Sequence, residues 1–166
     1  MKFISDKIYK EILGESNMIK IMFVCLGNIC RSPMAEFVLK ELVRRKNLEE
    51  KFVIESSATS LEEIGNDVHY GTVRKLNSVG IPVEHRKARK LTKEDYDKFD
   101  YIIGMEESNI KNIIKIIGED KKGKVFKLLD FSENPRDIAD PWYTGNFDKT
   151  YNDILEGCQA LLNKIL

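Results

Sequence analysis

IKIMFVCLGNICRSP, residues 19–33, is the stretch of sequence that decides the fold. Its first part, residues 19–24, is a short run rich in apolar and β-favouring residues, which predicts a strand. A loop follows and extends to Arg31. Gly27 and Asn28 in this loop are residue types that tolerate a left-handed backbone, so the chain can turn sharply there.

The residues after the loop predict a helix. Ser32 is a favoured residue type at a helix N-cap, and Pro33 suits the first helical position because its φ is fixed and it has no N–H. The same alternation continues along the chain. Further strands are predicted at 52–54, 99–105 and 124–128, and further helices at 69–79, 106–117 and 147–166. Strands alternating with helices predict a parallel sheet covered on both faces, with the first loop at its carboxyl edge, where such folds bind ligands.

The composition fits one ordinary globular domain. The chain has 166 residues, of which 42% are hydrophobic and 33% charged. Lys plus Arg equals Asp plus Glu at 27 each, so charge gives no reason to expect nucleic acid or a membrane surface as a partner. The sequence contains no apolar run long enough to span a bilayer, and its three cysteines do not suggest a disulfide framework. We therefore expect a cytoplasmic protein that binds neither nucleic acid nor membrane.

The loop between strand and helix has the groups needed for phosphoryl transfer. Inward-facing backbone N–H groups at a helix N-terminus form a site for an anion, and Arg31 can add a bidentate pair to two phosphate oxygens. The same positive field favours the thiolate of Cys25, which can attack phosphorus to give a cysteinyl-phosphate. The predicted phosphate-binding residues are Leu26, Gly27, Asn28, Ile29, Cys30, Arg31 and Ser32.

A general acid is also required, because the leaving oxygen should depart protonated. Asp140 is the candidate, since Pro141 stiffens its loop and two aromatic residues, Trp142 and Tyr143, follow it. These aromatics can line the cleft in which the substrate binds.

The segment 24–33 resembles the signature of the low-molecular-weight protein tyrosine phosphatases. Segments 55–60, 91–96, 99–102 and 105–109 are similar to further parts of that family in the same order, and Asp140-Pro141-Trp142-Tyr143 resembles its Asp-Pro-Tyr motif. The resemblance implies a flavodoxin-like, doubly wound α/β fold: a three-layer sandwich with a four-stranded parallel sheet in the order 2-1-3-4 and the phosphate loop after the first strand. It also implies a family domain at 18–166, preceded by an extension of unknown role at 1–17.

The resemblance implies the following roles. Cys25 would be the nucleophile and Arg31 the phosphate clamp, while Asn28 would hold the loop and Ser32 assist the thiolate. Asp140 would protonate the leaving oxygen and then activate water. Cys30 matches a second loop cysteine that can form a reversible disulfide with Cys25.

The predicted pocket departs from the family in two places. Glu62 stands where the family usually has an aromatic residue, and it should favour basic peptides over acidic ones. Trp142 replaces the first aromatic after Asp-Pro, and it still offers a flat wall to a phenyl ring. Glu62, Trp142 and Tyr143 are therefore the predicted pocket residues.

The predicted substrate is a phosphotyrosine-containing protein, and small aryl phosphates should also be hydrolysed. We expect no cofactor and no metal, and a monomer or weak dimer. Three alternatives remain open on this reasoning. They are a protein arginine phosphatase, which tends to have Thr at the position of Ile29; an arsenate reductase, which needs two further relay cysteines where this chain has only Cys158; and a non-enzymatic phosphate-binding module.

Overall fold

The computed structural model describes residues 18–166, so the predicted extension at 1–17 lies outside the described residues. The strands are β1 (Ile19–Cys25), β2 (Phe52–Ala58), β3 (Tyr101–Gly104) and β4 (Val125–Lys127). The α-helices are α1 (Arg31–Arg45), α2 (Tyr70–Ser78), α3 (Asp95–Lys98), α4 (Glu107–Ile117), α5 (Pro141–Thr144) and α6 (Phe147–Ile165). Two single-turn 3₁₀ helices, Glu49–Lys51 and Leu128–Phe131, complete the regular structure of this part of the chain.

The four strands form one parallel sheet in the order β2-β1-β3-β4. This confirms the predicted strand order and the flavodoxin-like α/β fold. β1 lies at the centre, paired with β2 on one side and β3 on the other. Because side chains alternate across a strand, Ile21 and Phe23 join one hydrophobic cluster and Met22 and Val24 join another.

The two clusters correspond to the two covered faces of the sheet. The larger one packs β1 against residues of α1 and α6, including Leu39 and Leu161. The smaller one packs the opposite face against α4 and the segment around α3, including Ile113 and Tyr96. A sheet buried on both faces explains why β1 is an almost continuous apolar run.

The start of α1 corrects one prediction. The helix begins at Arg31 rather than at Pro33, and Cys30 rather than Ser32 occupies the N-cap position. Cys30 makes no capping side-chain hydrogen bond, and the Ser32 hydroxyl contacts the Cys25 sulfur instead. The hydroxyl that was predicted to cap the helix thus contacts the residue at the start of the loop.

The second strand is longer than predicted, and the third and fourth are shorter. β2 continues through Glu55–Ala58 because these residues pair with the end of β1, although Ser56 and Ser57 interrupt the apolar pattern. β3 begins at Tyr101 rather than residue 99, and β4 has three residues, each paired with β3. The short helix α3 was not predicted.

Candidate active site

The loop between β1 and α1 lies at the carboxyl edge of the sheet. Asn28 adopts a left-handed backbone with φ of 58°, as its residue type allowed. The backbone after β2 runs beside the loop, since Thr59 N donates to Cys25 O (3.0 Å) and Ser60 N donates to Leu26 O (3.0 Å). The start of the loop is therefore held against the segment that follows β2.

Cys25 is 3% exposed, at the last position of β1, and the loop that follows it leads into the N-terminus of α1. Its Sγ lies 3.0 Å from Ser32 Oγ and accepts from Asn28 N at 3.3 Å. Hydrogen-bond donors and the positive end of a helix both stabilise a negative charge on sulfur. The surroundings of this thiol are those of a nucleophile.

Arg31 is 1% exposed, and three groups hold its guanidinium. It donates to Ile138 O (2.9 Å), and it forms ion pairs with Glu106 Oε2 (2.9 Å) and Asp140 Oδ2 (3.2 Å). A buried cation needs such partners, because removing a charge from water costs several kcal/mol. Arg31 is thus fixed next to Cys25 by residues from two other loops.

Asp140 caps the short helix α5, in which Pro141 is the first residue. One carboxylate oxygen accepts from Trp142 N (3.0 Å) and the other pairs with Arg31. The carboxyl group therefore has a defined position, and it borders the same cavity as Cys25. The cavity is lined by Cys25, Leu26, Gly27, Ile29, Cys30, Arg31, Glu62, Glu63, Asp140, Trp142 and Tyr143.

The chain matches a known protein family over almost all of its described residues. Residues 20–166 match the family model described as "Low molecular weight phosphotyrosine protein phosphatase". The chain belongs to this family.

Two curated relatives and one solved structure illustrate the similarity. The low molecular weight protein-tyrosine-phosphatase YfkJ of Bacillus subtilis is 41% identical over 150 residues, covering 89% of this chain and 96% of that protein. PtpA of Staphylococcus aureus, of the same description, is 39% identical over 150 residues, covering 90% and 95%. The crystal structure of YfkJ superposes with a TM-score of 0.86, covering 89% of this chain and 94% of that one.

The structure brings most of the predicted site residues of the phosphatase together. Ten of the eleven residues lining the cavity were predicted from the sequence, and Glu63 is the addition. Glu63 packs closely on the loop, since a Cβ added to Gly27 would lie 3.1 Å from Glu63 Cγ. Asn28 and Ser32 do not line the cavity. Their side chains are joined in a buried hydrogen-bond network instead.

The rim of the phosphatase cavity is partly aromatic and partly acidic. Trp142 and Tyr143 are 56% and 78% exposed, so both are available to a substrate. Trp142 also makes an edge contact with His69, whose ring stacks on Phe147. Burial lowers the pKa of His69, and its Nδ1 accepts from Gly71 N (3.0 Å), so His69 supports the rim as a neutral structural residue.

The other two cysteines of the phosphatase differ in position. Cys30 lines the cavity, and burial, followed by the neighbouring Cys25, raises its pKa to about 12. Cys158 is fully buried between α6 and α1, where its Sγ lies 3.7 Å from Ala35 O. Burial raises the pKa of Cys158, as expected for an inert core thiol.

Besides Glu63, four residues around the loop were missed by sequence reasoning. Glu106 binds Arg31, and Ser56, Glu36 and Arg86 form a polar cluster behind Asn28. A signal existed for Glu106, because it follows β3 at the same carboxyl edge as the loop. Ser56, Glu36 and Arg86 gave no such signal, since the two charged residues are indistinguishable in sequence from ordinary surface charges.

Residues 18–166 contain neither a metal-binding cluster nor a membrane-spanning helix. No cluster of three or more His, Cys, Asp or Glu side chains in this part of the chain has a geometry suited to a metal ion. None of the helices described here combines the length and apolarity needed to cross a membrane.

Proposed function

We propose that this enzyme hydrolyses phosphotyrosine in proteins, with Cys25 as the nucleophile. The observation that carries the proposal is the arrangement of Cys25 Sγ, Arg31 and Asp140 around one cavity in a chain of this family. The family and the curated relatives are phosphotyrosine phosphatases by description, which supports an enzyme of this class.

In the first step, the Cys25 thiolate attacks phosphorus and the bond from phosphorus to the tyrosine oxygen breaks. Asp140 in its protonated form donates its proton to the leaving phenolate oxygen. In the second step, water attacks the cysteinyl-phosphate, Asp140 takes a proton from the water, and the sulfur–phosphorus bond breaks. Inorganic phosphate leaves and the thiolate is restored. The Ser32 hydroxyl, 3.0 Å from Sγ, stabilises the sulfur as it departs.

Arg31 is positioned to bind the phosphoryl oxygens. A guanidinium has five N–H donors in a fixed plane. Within residues 18–166, Arg31 donates to Ile138 O and Asp140 and forms an ion pair with Glu106, so N–H groups remain for phosphate oxygens. Together with the amides of the loop, Leu26 to Ser32, this arrangement would hold the charge that develops in the transition state.

Tyrosine is the proposed substrate rather than arginine. Ile29 in the cavity wall and the exposed rings of Trp142 and Tyr143 offer flat or apolar contacts to a phenyl ring. The relatives described as protein-tyrosine-phosphatases support the same choice. Glu62, also in the lining, would favour substrates with basic neighbours.

Arsenate reduction fits this chain poorly. That reaction needs two further cysteines that relay electrons from the nucleophile, and Cys158 is the only cysteine beyond the loop. Cys158 is inaccessible within the core, so it offers no relay.

Cys30 is proposed to protect the nucleophile from oxidation. A peroxide would convert the Cys25 thiolate to a sulfenic acid with loss of hydroxide. The Cys30 thiol would then attack this sulfur, with release of water and formation of a disulfide that thiols can reduce. A phosphoprotein substrate, a monomer or weak dimer, and a cytoplasmic location complete the proposal and stay predictions.

Steady-state kinetics of three proteins test the proposed function. Wild type, Cys25→Ser and Asp140→Ala would be assayed on an aryl phosphate, a phosphotyrosine peptide and a phosphoarginine peptide. We expect Cys25→Ser to have no turnover, and Asp140→Ala to lose least on the substrate with the best leaving group. Full activity of Cys25→Ser would refute the mechanism, and preference for phosphoarginine would refute the substrate.

A further inference from the structure

An exposed aromatic surface continues from the rim of the cavity toward α2. Within residues 18–166, six large hydrophobic side chains are exposed, and five of them lie in the segments around the cavity mouth: Leu61, Ile64, Tyr70, Trp142 and Tyr143. Four of the five line the cavity or adjoin a lining residue. Tyr70, 70% exposed, comes from α2, which contributes nothing to the lining, so the mechanism gives it no role. Exposed apolar side chains gathered in one place mark a surface that binds something.

A series of ring contacts joins Tyr70 to the cavity. The Trp142 ring, part of the lining, meets His69 edge-on with ring centroids 5.5 Å apart, and His69 stacks on Tyr70 at 4.5 Å. The guanidinium of Arg74 lies over the Tyr70 ring, 5.7 Å from its centroid. Because an extended chain advances about 3.3 Å per residue, Arg74 is within reach of substrate residues up to about five positions from a phosphotyrosine in the cavity.

The charge of Arg74 is not neutralised by a neighbouring carboxylate. Its side chain is exposed, and within residues 18–166 it forms no ion pair with Asp or Glu. The next residue, Lys75, differs in this respect because it pairs with Asp148 at 2.8 Å. A guanidinium that lies on an aromatic ring keeps its N–H donors in a planar fork that matches a carboxylate. Arg74 is therefore available to bind an acidic side chain through two hydrogen bonds.

A cleft lies beside this arginine, between α2 and the start of α6. Tyr70, Arg74 and Phe147 are among its lining residues. Lys75 and Asp148 also line it, but they pair with each other, so Arg74 supplies the one uncompensated charge among these five residues. The cleft thus combines aromatic walls with a cation, a combination that suits the apolar stem and the carboxylate of Asp or Glu.

The other end of the phosphate loop is bordered by charge of the opposite sign. At the start of the loop, a Cβ added to Gly27 would lie 3.1 Å from Glu63 Cγ, and Glu62 lines the cavity beside it. At the far end, His69 N donates to Ile29 O (2.8 Å), which brings the beginning of α2 to the loop. A peptide that crosses the mouth therefore meets carboxylates on one side and the α2 surface with Arg74 on the other.

We propose that Tyr70 and Arg74 form a second substrate subsite, which binds an acidic side chain of the phosphoprotein about two to five residues from the phosphotyrosine. The carboxylate pairs with Arg74, and the apolar stem lies on the Tyr70 ring. Because Glu62 favours a basic residue on the other side, the two charges set the direction in which the peptide crosses the mouth. The proposal rests on the proposed function, since it concerns the residues around the phosphotyrosine.

Kinetics on a set of peptides test the subsite. The parent peptide has phosphotyrosine flanked by alanines, and two further peptides have Asp at about two to four residues before it or after it. For wild type we expect kcat/KM to rise about threefold with Asp on one side only, which is the size of effect that an exposed ion pair gives. The rise should shrink as salt is added, because ions screen an exposed pair.

Three variants assign the preference to these residues. Arg74→Glu should reverse it, so that the favoured Asp peptide becomes about threefold worse than the parent, because attraction is replaced by repulsion. Arg74→Lys, which retains the charge but not the planar fork, should keep part of the preference. Tyr70→Ser should reduce it, because the ring that supports the guanidinium is lost. Both side chains are exposed, so these substitutions leave the core intact.

Lys51→Glu is the matched control, because it makes the same change of charge far from the mouth. Lys51 is an exposed cation immediately before β2, and β2 begins at the edge of the sheet opposite to the phosphate loop. The peptide preference of this variant should equal that of wild type.

Four results would overturn the proposal. They are no preference for Asp on either side, a preference that Arg74→Glu leaves intact, and an equal change in Lys51→Glu. The fourth is a loss of specific activity at high enzyme concentration that Arg74→Glu removes, because a second copy of the chain would then cover the cleft. An aryl phosphate is too small to reach Arg74, so its turnover by wild type tests the proposed function separately.

Discussion

Replacing Glu106 by Gln should weaken the hold on Arg31 without changing the shape of the site. In the structure, Glu106 Oε2 pairs with Arg31 at 2.9 Å, and Glu106 Oε1 accepts from Ser108 Oγ at 2.7 Å. A glutamine can keep both contacts, with its carbonyl toward Arg31 and its NH₂ toward the serine hydroxyl. The substitution therefore removes a negative charge from the contact with Arg31 and from the N-cap of α4.

The size of the effect follows from the burial of the two partners. At an effective dielectric constant of about 20, unit charges 2.9 Å apart attract by about 6 kcal/mol. Glu106 is 28% exposed, so solvent reduces this attraction, and Arg31 keeps Asp140 and Ile138 O as partners. We expect a net loss of about 1–2 kcal/mol of folding free energy, or a fall in Tm of roughly 2–8 °C.

Catalysis should respond differently from phosphate binding. A less firmly positioned Arg31 should stabilise the transition state less, and we expect kcat to fall about tenfold. Loss of a negative charge beside the anion site removes repulsion, so the inhibition constant of inorganic phosphate should not rise.

Thermal unfolding, aryl phosphate kinetics and phosphate inhibition of Glu106→Gln measure these effects. Glu107→Gln is the control, because Glu107 is the next residue, is 56% exposed and meets only Lys127 at 3.9 Å among its ion-pair contacts in residues 18–166. If Glu106→Gln matched Glu107→Gln in both Tm and kcat, the assigned role of the Arg31 pair would be refuted. A phosphate constant that rose as much as kcat fell would also contradict the reasoning.

Three further predictions concern Cys30 in the loop, Glu62 at the cavity rim and the contribution of Glu41 to stability in acid. Cys30→Ser should be inactivated by peroxide at the wild-type initial rate but should not recover with a dithiol, because no disulfide protects Cys25 from further oxidation; full recovery would argue against the proposed pairing. Glu62→Gln should reduce the preference for phosphotyrosine peptides with basic neighbours, measured as a ratio of kcat/KM values, and an unchanged ratio would remove Glu62 from the specificity argument. Hydrogen bonding by Arg44 lowers the pKa of Glu41 from 4.5 to about 2, so its contribution to stability is present above pH 4.5 and is lost as the pH falls toward 2. Urea unfolding of Glu41→Gln should show a smaller loss of stability than wild type over that pH range, and parallel curves would contradict it.

Much of the fold could be predicted because the pattern of residues 19–33 is strong. An apolar run, a loop with Gly27 and Asn28, and a helix fix the first unit, and the alternation of elements gives the rest. Boundaries were wrong where tertiary pairing overrides local preference. β2 extends through Ser56 and Ser57 because β1 lies beside them, and the hydroxyl of Ser32 serves the sulfur instead of capping α1.

The residues that line the cavity were more predictable than the residues that hold the loop from behind. Most residues that line the cavity come from the loop and the Asp-Pro segment, which have recognisable spacings. Glu36, Arg86 and Ser56 lie far apart in sequence and meet only because α1, β2 and the segment between α2 and α3 pack together. Charged residues of this kind are usually solvated, so sequence alone gives no reason to place them in a buried network.

Direct detection of the phosphorylated enzyme tests the central claim best. Asp140→Ala should form the cysteinyl-phosphate from a good aryl phosphate and hydrolyse it slowly, because no carboxylate activates the water. Rapid acid quenching followed by mass spectrometry of the peptide containing Cys25 should then show the mass of one added phosphoryl group, and Cys25→Ser should show none. Turnover of the aryl phosphate by Cys25→Ser, or a phosphoryl group carried by a different residue, would contradict the account.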